Sequence, residues 1–180
     1  MSPRQAALLV LTALSLGAPA AAGGAGPPPV APPETHVPLS GCRPGYVRPD
    51  FAALGRKLQT ARARWAASGP GNYSYEIRQI AAPVLLPETR VIVTRGQVTR
   101  AEVLPGEAGM PSPLSRQSVE QRFRSIEQTL IRQRNTRCPE IQLSFDAALG
   151  YPTRFYSGLG DAGIADGFGE WTLKNFRPLR

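Results

Sequence analysis

The side chains that could carry hydrolytic chemistry are a few carboxylates and one tyrosine in the last third of the chain. They are Asp146, Tyr151, Asp161, Asp166 and Glu170. Two carboxylates that flank a glycosidic bond can act as general acid and as nucleophile or base. Nothing in the sequence around these residues favours such a pairing. An envelope hydrolase that uses carboxylate or tyrosine side chains is therefore the alternative function and not the leading one.

The same acidic residues could converge on calcium in a Gly-rich loop. Asp161, Asp166 and Glu170 follow one another at steps of five and four residues, which lacks the alternate-position ligands of an EF-hand loop. Short carboxylates in such loops commonly cap turns. We therefore predict no metal site and no cofactor.

The remaining residues with reactive side chains are one histidine and two cysteines: His36, Cys42 and Cys138. His36 lies in a Pro-rich stretch that would not position an imidazole as a general base. Two cysteines in an exported chain are read most economically as a disulfide. Residues 39–42, Leu-Ser-Gly-Cys, also match the pattern at which bacterial lipoproteins are acylated, although they lie far from the apolar run that should precede it. Acylation of Cys42 therefore stays open beside the disulfide.

Residues 1–22 have the pattern of a cleaved export signal. Arg4 precedes a mildly apolar run over residues 6–16, and three alanines follow at residues 20–22. The run of about 11 residues falls short of the roughly 20 that span a bilayer. This length favours cleavage over an uncleaved anchor, with no transmembrane segment in the mature chain. Residues 23–49 are rich in Gly and Pro and predict an extended spacer, which leaves one domain over residues 50–178.

The chain is basic, with 21 Lys and Arg against 13 Asp and Glu, a formal net charge of +8. An exported protein of this charge attracts anionic polymers and lipid head groups. Nucleic-acid readers usually cluster their cations and interleave aromatic residues, whereas the arginines of the second predicted helix scatter around it. These arginines are Arg122, Arg124, Arg132 and Arg134. We expect anionic envelope polymers or another envelope protein as partners, and no specific nucleic-acid binding.

A helix followed directly by a strand organises the predicted domain. Apolar residues recur at steps of three and four from Phe51 to Trp65 and form one helical face, which Asp50 is placed to cap. Residues 68–72 cannot continue the helix, and Tyr73–Ala81 then alternates with period two. The rings of Tyr73 and Tyr75 share one face of this strand, either as a ligand platform or at the boundary of the core.

The rest of the sequence predicts a second helix and further strands. Strands are indicated near residues 89–95 and 97–104, with a tight turn at Arg95-Gly96, and then near residues 141–146, 153–157 and 171–173. Ser118 and Gln121 form a capping box, and the helix that follows should end near Arg134. Its apolar stripe is Val119, Phe123, Ile126 and Leu130. The predicted fold is α+β: an antiparallel sheet of five or six strands with two amphipathic helices packed on one face.

Several short motifs in this order resemble a family of bacterial exported proteins, the domain-of-unknown-function family numbered six-one-seven-four. The matching segments cover roughly residues 50–178: Arg64-Trp65, Asn72-Tyr73-Ser74-Tyr75, Val93-Thr94-Arg95-Gly96-Gln97-Val98, Gly150-Tyr151-Pro152-Thr153 and Ile164-Ala165-Asp166. Many members carry a close cysteine pair after the first strand, where this chain has Gln79-Ile80-Ala81-Ala82, so a role of that pair does not transfer. The resemblance implies an exported envelope-type domain and no known catalytic residue. The sequence therefore favours a non-catalytic binding or structural module in the periplasm, the cell envelope or the extracellular space.

Overall fold

The structure, a computed structural model, describes residues 41–161 and 167–180. These residues form two α-helices and six β-strands joined in one antiparallel sheet, which confirms the predicted α+β class. The predicted export signal, most of the spacer, His36 and Asp166 lie outside the described residues. No helix in the described ranges is both long and apolar enough to cross a bilayer.

Helix α1 (Phe51–Ser68) begins where the sequence predicts. The Asp50 carboxylate accepts a hydrogen bond from the amide of Ala53 at 2.9 Å, which satisfies one of the free amides of the first turn. The predicted apolar stripe faces the core of the domain. Its fully buried members are Leu58, Ala61 and Trp65.

Strands β1 (Tyr73–Ala81), β2 (Val84–Thr94) and β3 (Gln97–Val103) form an antiparallel meander. The predicted turn at Arg95-Gly96 is present, and both residues have positive φ, 51° and 73°, as a tight hairpin turn requires. Strand β2 begins at Val84 and not near residue 89. Residues 84–86 pair with the end of β1, but residues 84–88 do not alternate in polarity and therefore gave no strand signal.

Helix α2 (Val119–Gln133) begins at the predicted capping box. The Ser118 hydroxyl accepts from the Gln121 amide at 3.4 Å, and the Gln121 side-chain oxygen accepts from the Ser118 amide at 2.6 Å. These two bonds satisfy amides that the first turn leaves free. The predicted apolar stripe is buried throughout: Val119, Phe123, Ile126 and Leu130.

The last three strands are β4 (Pro139–Phe145), β5 (Pro152–Leu159) and β6 (Gly169–Pro178). The order across the sheet is β3-β2-β1-β6-β5-β4, so the C-terminal strand joins the meander to the β4–β5 hairpin. Both helices pack on the same face of this sheet, which confirms the predicted layering. Each helix contacts the sheet through a pair of aromatic rings. The ring centroids of Trp65 in α1 and Tyr73 in β1 are 5.3 Å apart, and those of Phe123 in α2 and Phe145 in β4 are 6.1 Å apart.

The opposite face of the sheet carries charges that pair across the strands. Arg90 contacts Glu76 at 2.6 Å and Arg154 contacts Glu170 at 2.8 Å. The hydrogen bond from Arg90 holds the pKa of Glu76 below its usual value. Ion pairs this exposed stabilise a fold by little, so they serve mainly to keep this face polar.

The segment before α1 is fastened to the domain by a disulfide between Cys42 and Cys138, whose Cα atoms are 5.5 Å apart. The Arg43 amide donates to the Gly160 carbonyl at 2.8 Å, and the Tyr46 hydroxyl donates to the Pro139 carbonyl at 2.6 Å. The disulfide predicted from the sequence is therefore present, supported by hydrogen bonds on both sides.

Candidate functional site

The structure does not bring the hydrolytic candidates together. Asp146 ends β4 and accepts hydrogen bonds from the amides of Ala148 and Leu149, at 3.0 and 2.7 Å. Asp161 follows the far end of β5, which at about 3.3 Å per residue places it more than about 20 Å along the strand from Asp146. Glu170 is bound to Arg154. Asp146 thus caps a turn and Glu170 is an ion-pair partner, whereas Asp161 lies apart from both, with a buried Oδ1 that has no hydrogen-bond partner among the described residues.

Asp161 lies beside the disulfide. Ligand atoms of Asp161, Cys42 and Cys138 lie within 4.8 Å of one another. The two sulfur atoms are bonded to each other, and a metal would need them as thiolates. This cluster therefore holds the N-terminal segment in place and is not a metal centre while the disulfide is intact.

The tyrosines at the start of β1 belong to the core and do not form a ligand platform. Tyr73 and Tyr75 are fully buried. The Tyr73 hydroxyl donates to Glu120 at 3.2 Å, and Trp65 donates its indole N–H to the same carboxylate at 2.9 Å. Burial raises the pKa of both tyrosines. Glu120 thus links α1, α2 and β1 through two aromatic residues.

The motif around Gly150 is explained by close packing. Gly150 has a φ of 83°, and a Cβ on it would lie 2.4 Å from the Ala61 carbonyl oxygen of α1. Only glycine fits this position without strain. The neighbouring Tyr151 ring stacks on Phe176 at 4.3 Å, and Pro152 begins β5 in a buried position. These positions dock the β4–β5 turn onto α1.

Arg122, one of the four arginines that scatter around α2, points into the core and is only 1% exposed. Its guanidinium lies 4.8 Å from the centre of the Trp171 ring and donates to the Ser115 carbonyl at 3.1 Å and the Tyr75 hydroxyl at 3.3 Å. No carboxylate in the described ranges forms an ion pair with it. A buried cation with no anionic partner is unusual in a protein interior.

Beside this buried cation, a cleft of about 440 Å³ opens between the C-terminal half of α2 and the ends of β1, β5 and β6. We call it the α2–sheet cleft. Its sheet side contains two cross-strand rows, Gln79–Trp171–Phe155 and Ala81–Gly169–Ser157. The second row consists of small residues, and a Cβ added at Gly169 would meet no atom of the described residues within 4 Å. The cleft exists because this row leaves the space unfilled.

Two amide groups in the wall of the α2–sheet cleft have unused hydrogen-bonding capacity. Gln79 is 9% exposed, and its side-chain oxygen is buried without a donor among the residues that the structure describes. The Gln133 oxygen is likewise buried without a donor, while its amide nitrogen donates to the Ser157 hydroxyl at 2.9 Å. Buried polar atoms almost always have a partner. Two exceptions lining one cleft single out this place in the described structure.

Two other depressions are less specific. An arginine-rimmed groove near the start of β1 is bordered by Arg62, Arg95 and Arg124, but the Glu120 carboxylate in it is already bound to Trp65 and Tyr73. An apolar groove between α1 and α2 runs past Gly55 and the exposed Ile131. Among the described residues that line them, neither groove contains an unpaired buried polar atom.

The fold and the cleft define an α+β domain with one helix-covered sheet face and an open cleft at the end of the sheet, whose apolar wall carries a few polar groups. A family model described as a family of unknown function, DUF6174, matches residues 57–178. The chain belongs to this family, which confirms the resemblance read from its motifs. Comparison with curated proteins and with solved structures gives no match.

The cleft residues did not appear among the sequence-based candidates. A signal was present for Gln79, because it continues the inward-facing series of Tyr73, Tyr75 and Ile77 at period two and breaks its apolar character. Arg122 likewise follows Val119 by three residues and precedes Ile126 by four, which places it on the buried stripe. Gln133 and Ser157 gave no such signal, since they meet only in the fold.

Proposed function

We propose that this chain is an exported, non-catalytic binding domain of the bacterial cell envelope or its surroundings, with the α2–sheet cleft as its ligand site. The observation that carries the proposal is the pair of glutamine amides whose oxygens find no donor among the described residues. A binding cleft typically combines apolar walls with a few polar groups that fix orientation. Trp171 and Phe155 supply the apolar wall, and the two amides supply the polar groups.

Export is supported by the pattern of residues 1–22, by the Pro-rich stretch that follows, and by the cysteines. A disulfide between Cys42 and Cys138 is the state expected in an oxidising compartment. It also engages the sulfur that lipid attachment would require. N-terminal sequencing of the secreted or periplasmic protein should begin at Gly23, and recovery of Met1 on it would contradict a cleaved signal.

A non-catalytic role is supported by the work that the hydrolytic candidates already perform. Asp146 caps a turn, Tyr151 packs against Phe176, and Glu170 is paired with Arg154. The α2–sheet cleft offers side-chain amides, hydroxyls and the Arg132 guanidinium, and the neighbouring Glu170 carboxylate is paired with Arg154. General acid–base catalysis needs a group whose pKa lies near the working pH, and amides do not titrate there.

The binding proposal is tested by filling the cleft. Gly169→Phe places a ring over the small-residue row, where there is open space and no positive φ to strain the backbone. Gln142→Phe, on the opposite face of the sheet, is the matched control because Gln142 is exposed on β4. Native mass spectrometry of each protein, purified without denaturation from cells that export it, should detect a small molecule on the wild type and on the control only.

If Gly169→Phe retained the same bound mass, the ligand would lie elsewhere and the proposed site would be wrong. A wild type that carries no small molecule even when returned to a cell-envelope extract would contradict the binding role itself. Circular dichroism of both variants establishes that the fold is unchanged.

A further inference from the structure

We infer that the ligand of the α2–sheet cleft is an acidic saccharide, a ring with several hydroxyl groups and one carboxylate. This inference rests on the binding function proposed for the cleft and adds the chemical class of the ligand. Three features point to it: the size and wall of the cleft, the hydrogen-bonding groups it leaves unused, and the sign of the charge around it.

The cleft has the dimensions of a small-molecule site. Its volume of about 440 Å³ lies within the range of roughly 300 to 1,000 Å³ that such sites occupy. The rings of Trp171 and Phe155, with centroids 5.8 Å apart and planes tilted by 37°, form one side of it. Trp171 and Phe155 are 7% and 6% exposed, so they give the cleft a small apolar patch against which C–H groups of a sugar can pack, while the small residues of the second row leave room for the ring.

The unused hydrogen-bonding groups call for a ligand that both donates and accepts. The oxygens of Gln79 and Gln133 need donors. The Ser157 hydroxyl accepts from Gln133 at 2.9 Å, so its own proton is available for donation. A sugar hydroxyl donates and accepts at the same atom, and several hydroxyls on one ring meet these groups together. A purely aliphatic ligand leaves all of them unpaired.

The charge around the cleft favours an anion. Arg122 lies behind Trp171 without a carboxylate partner in the described ranges, and Arg132 stands at the rim. Arg132 donates one bond to Thr129 at 2.9 Å, which leaves further guanidinium donors for a ligand. Glu170 lies beside the cleft on β6, but its carboxylate is on the opposite face of the sheet, where it pairs with Arg154 at 2.8 Å. A carboxylate at the rim would therefore be attracted to Arg132, and an ammonium group would be repelled.

The test uses three pyranoses that differ mainly in charge: glucuronate, glucose and glucosamine. Each is titrated at low ionic strength into the full mature chain labelled with ¹⁵N, and the Gln79 and Gln133 side-chain amides and the Trp171 indole are followed by NMR. We expect all three reporters to shift and glucuronate to bind about fivefold more tightly than glucose, the effect of one exposed ion pair. Glucosamine should bind most weakly, and added salt should bring glucuronate and glucose closer together.

Two variants assign the charge effect. Arg132→Gln should reduce the affinity for glucuronate to that for glucose and leave glucose binding unchanged. Arg124→Gln removes a cation from the same helix at the arginine-rimmed groove and should change neither. Equal affinity for glucuronate and glucose in the wild type, or loss of both sugars in Arg132→Gln, would overturn the acidic class.

The outcomes also separate this inference from the binding function on which it rests. If only glucosamine shifts the cleft signals, the site is real and the acidic class is wrong. If none of the three sugars shifts them, the saccharide inference fails, and the native mass-spectrometry experiment still decides whether the cleft binds anything. A linear trimer of the uronate distinguishes sources: an affinity well above that of the monomer indicates an acidic polymer, and an equal affinity indicates the free sugar acid.

Discussion

Gln79 is the residue whose replacement distinguishes a binding group from a structural one. Its side chain is 9% exposed, and its oxygen is buried without a donor among the described residues. Leaving a buried polar group unpaired costs about 1 to 3 kcal/mol relative to its hydration in the unfolded chain. A residue kept at this cost is expected where function and stability conflict. The fold should therefore become more stable when Gln79 is made apolar.

The substitution with the smallest side effects is Gln79→Met, because Met is unbranched, similar in length and adapts to irregular spaces. The Gln79 side-chain oxygen has no hydrogen-bond partner among the described residues, so the change removes an unpaired buried oxygen. We expect the free energy of unfolding to rise by about 1 to 2 kcal/mol. The rise should appear in urea denaturation as a higher midpoint with an unchanged slope.

The control is Gln142→Met on β4, where the side chain is exposed. Surface changes of this kind usually stay within about 0.5 kcal/mol of the wild type. A lower stability for Gln79→Met than for the control would refute the reasoning. It would mean that the Gln79 amide forms hydrogen bonds in the folded protein and is not free to bind a ligand.

Three further predictions concern the framework around the cleft. Gly55→Ala should stabilise the protein by about 1 kcal/mol, since a Cβ there meets no described atom within 4 Å. Gly150→Ala should destabilise it by about 3 kcal/mol, because the residue has positive φ and its Cβ would clash with α1. If urea unfolding showed that both substitutions change the stability in the same direction, the packing described here would be contradicted. Burial raises the pKa of Tyr73, so the contribution of this phenol to stability is fully present below about pH 10 and should fall above that pH by about 1.4 kcal/mol per pH unit. In Tyr73→Phe the free energy of unfolding should fall less steeply with pH. An equal slope in the variant would exclude Tyr73 as the source of the fall. Reduction of the Cys42–Cys138 disulfide, which spans 96 positions, should lower the free energy of unfolding by up to about 4 kcal/mol; an unchanged urea midpoint in dithiothreitol would show that the bond adds nothing to the stability.

The elements of the fold were predictable because their signals are local. Asp50 and Ser118 cap the helices that their positions indicate, and Arg95-Gly96 makes the turn that its residue types favour. The beginning of β2 at Val84 was missed because strand pairing with β1 there overrides a sequence that does not alternate. Local pattern therefore specified which elements form, and pairing specified where one of them begins.

The cleft was not predictable in the same way, because it forms where small residues from separate parts of the chain lie side by side and leave space unfilled. Gly169 lies in β6 and Ser157 in β5, and the space is left unfilled because the pairing register of these strands places the two small residues side by side. Gln133 reaches Ser157 from α2 across a sequence distance of 24 residues. Spacing along the chain cannot reveal such a site. A polar residue on an apolar strand face, as at Gln79, is the one feature that could have drawn attention to it.

The most direct measurement is a crystal structure of the mature chain with glucuronate bound. We expect the sugar ring to lie over Gly169, with hydroxyl groups within hydrogen-bonding distance of the Gln79 and Gln133 side-chain oxygens and the carboxylate at Arg132. A sugar found instead at the arginine-rimmed groove beside Arg95 and Arg124, with the α2–sheet cleft occupied by solvent alone, would contradict the proposed binding site.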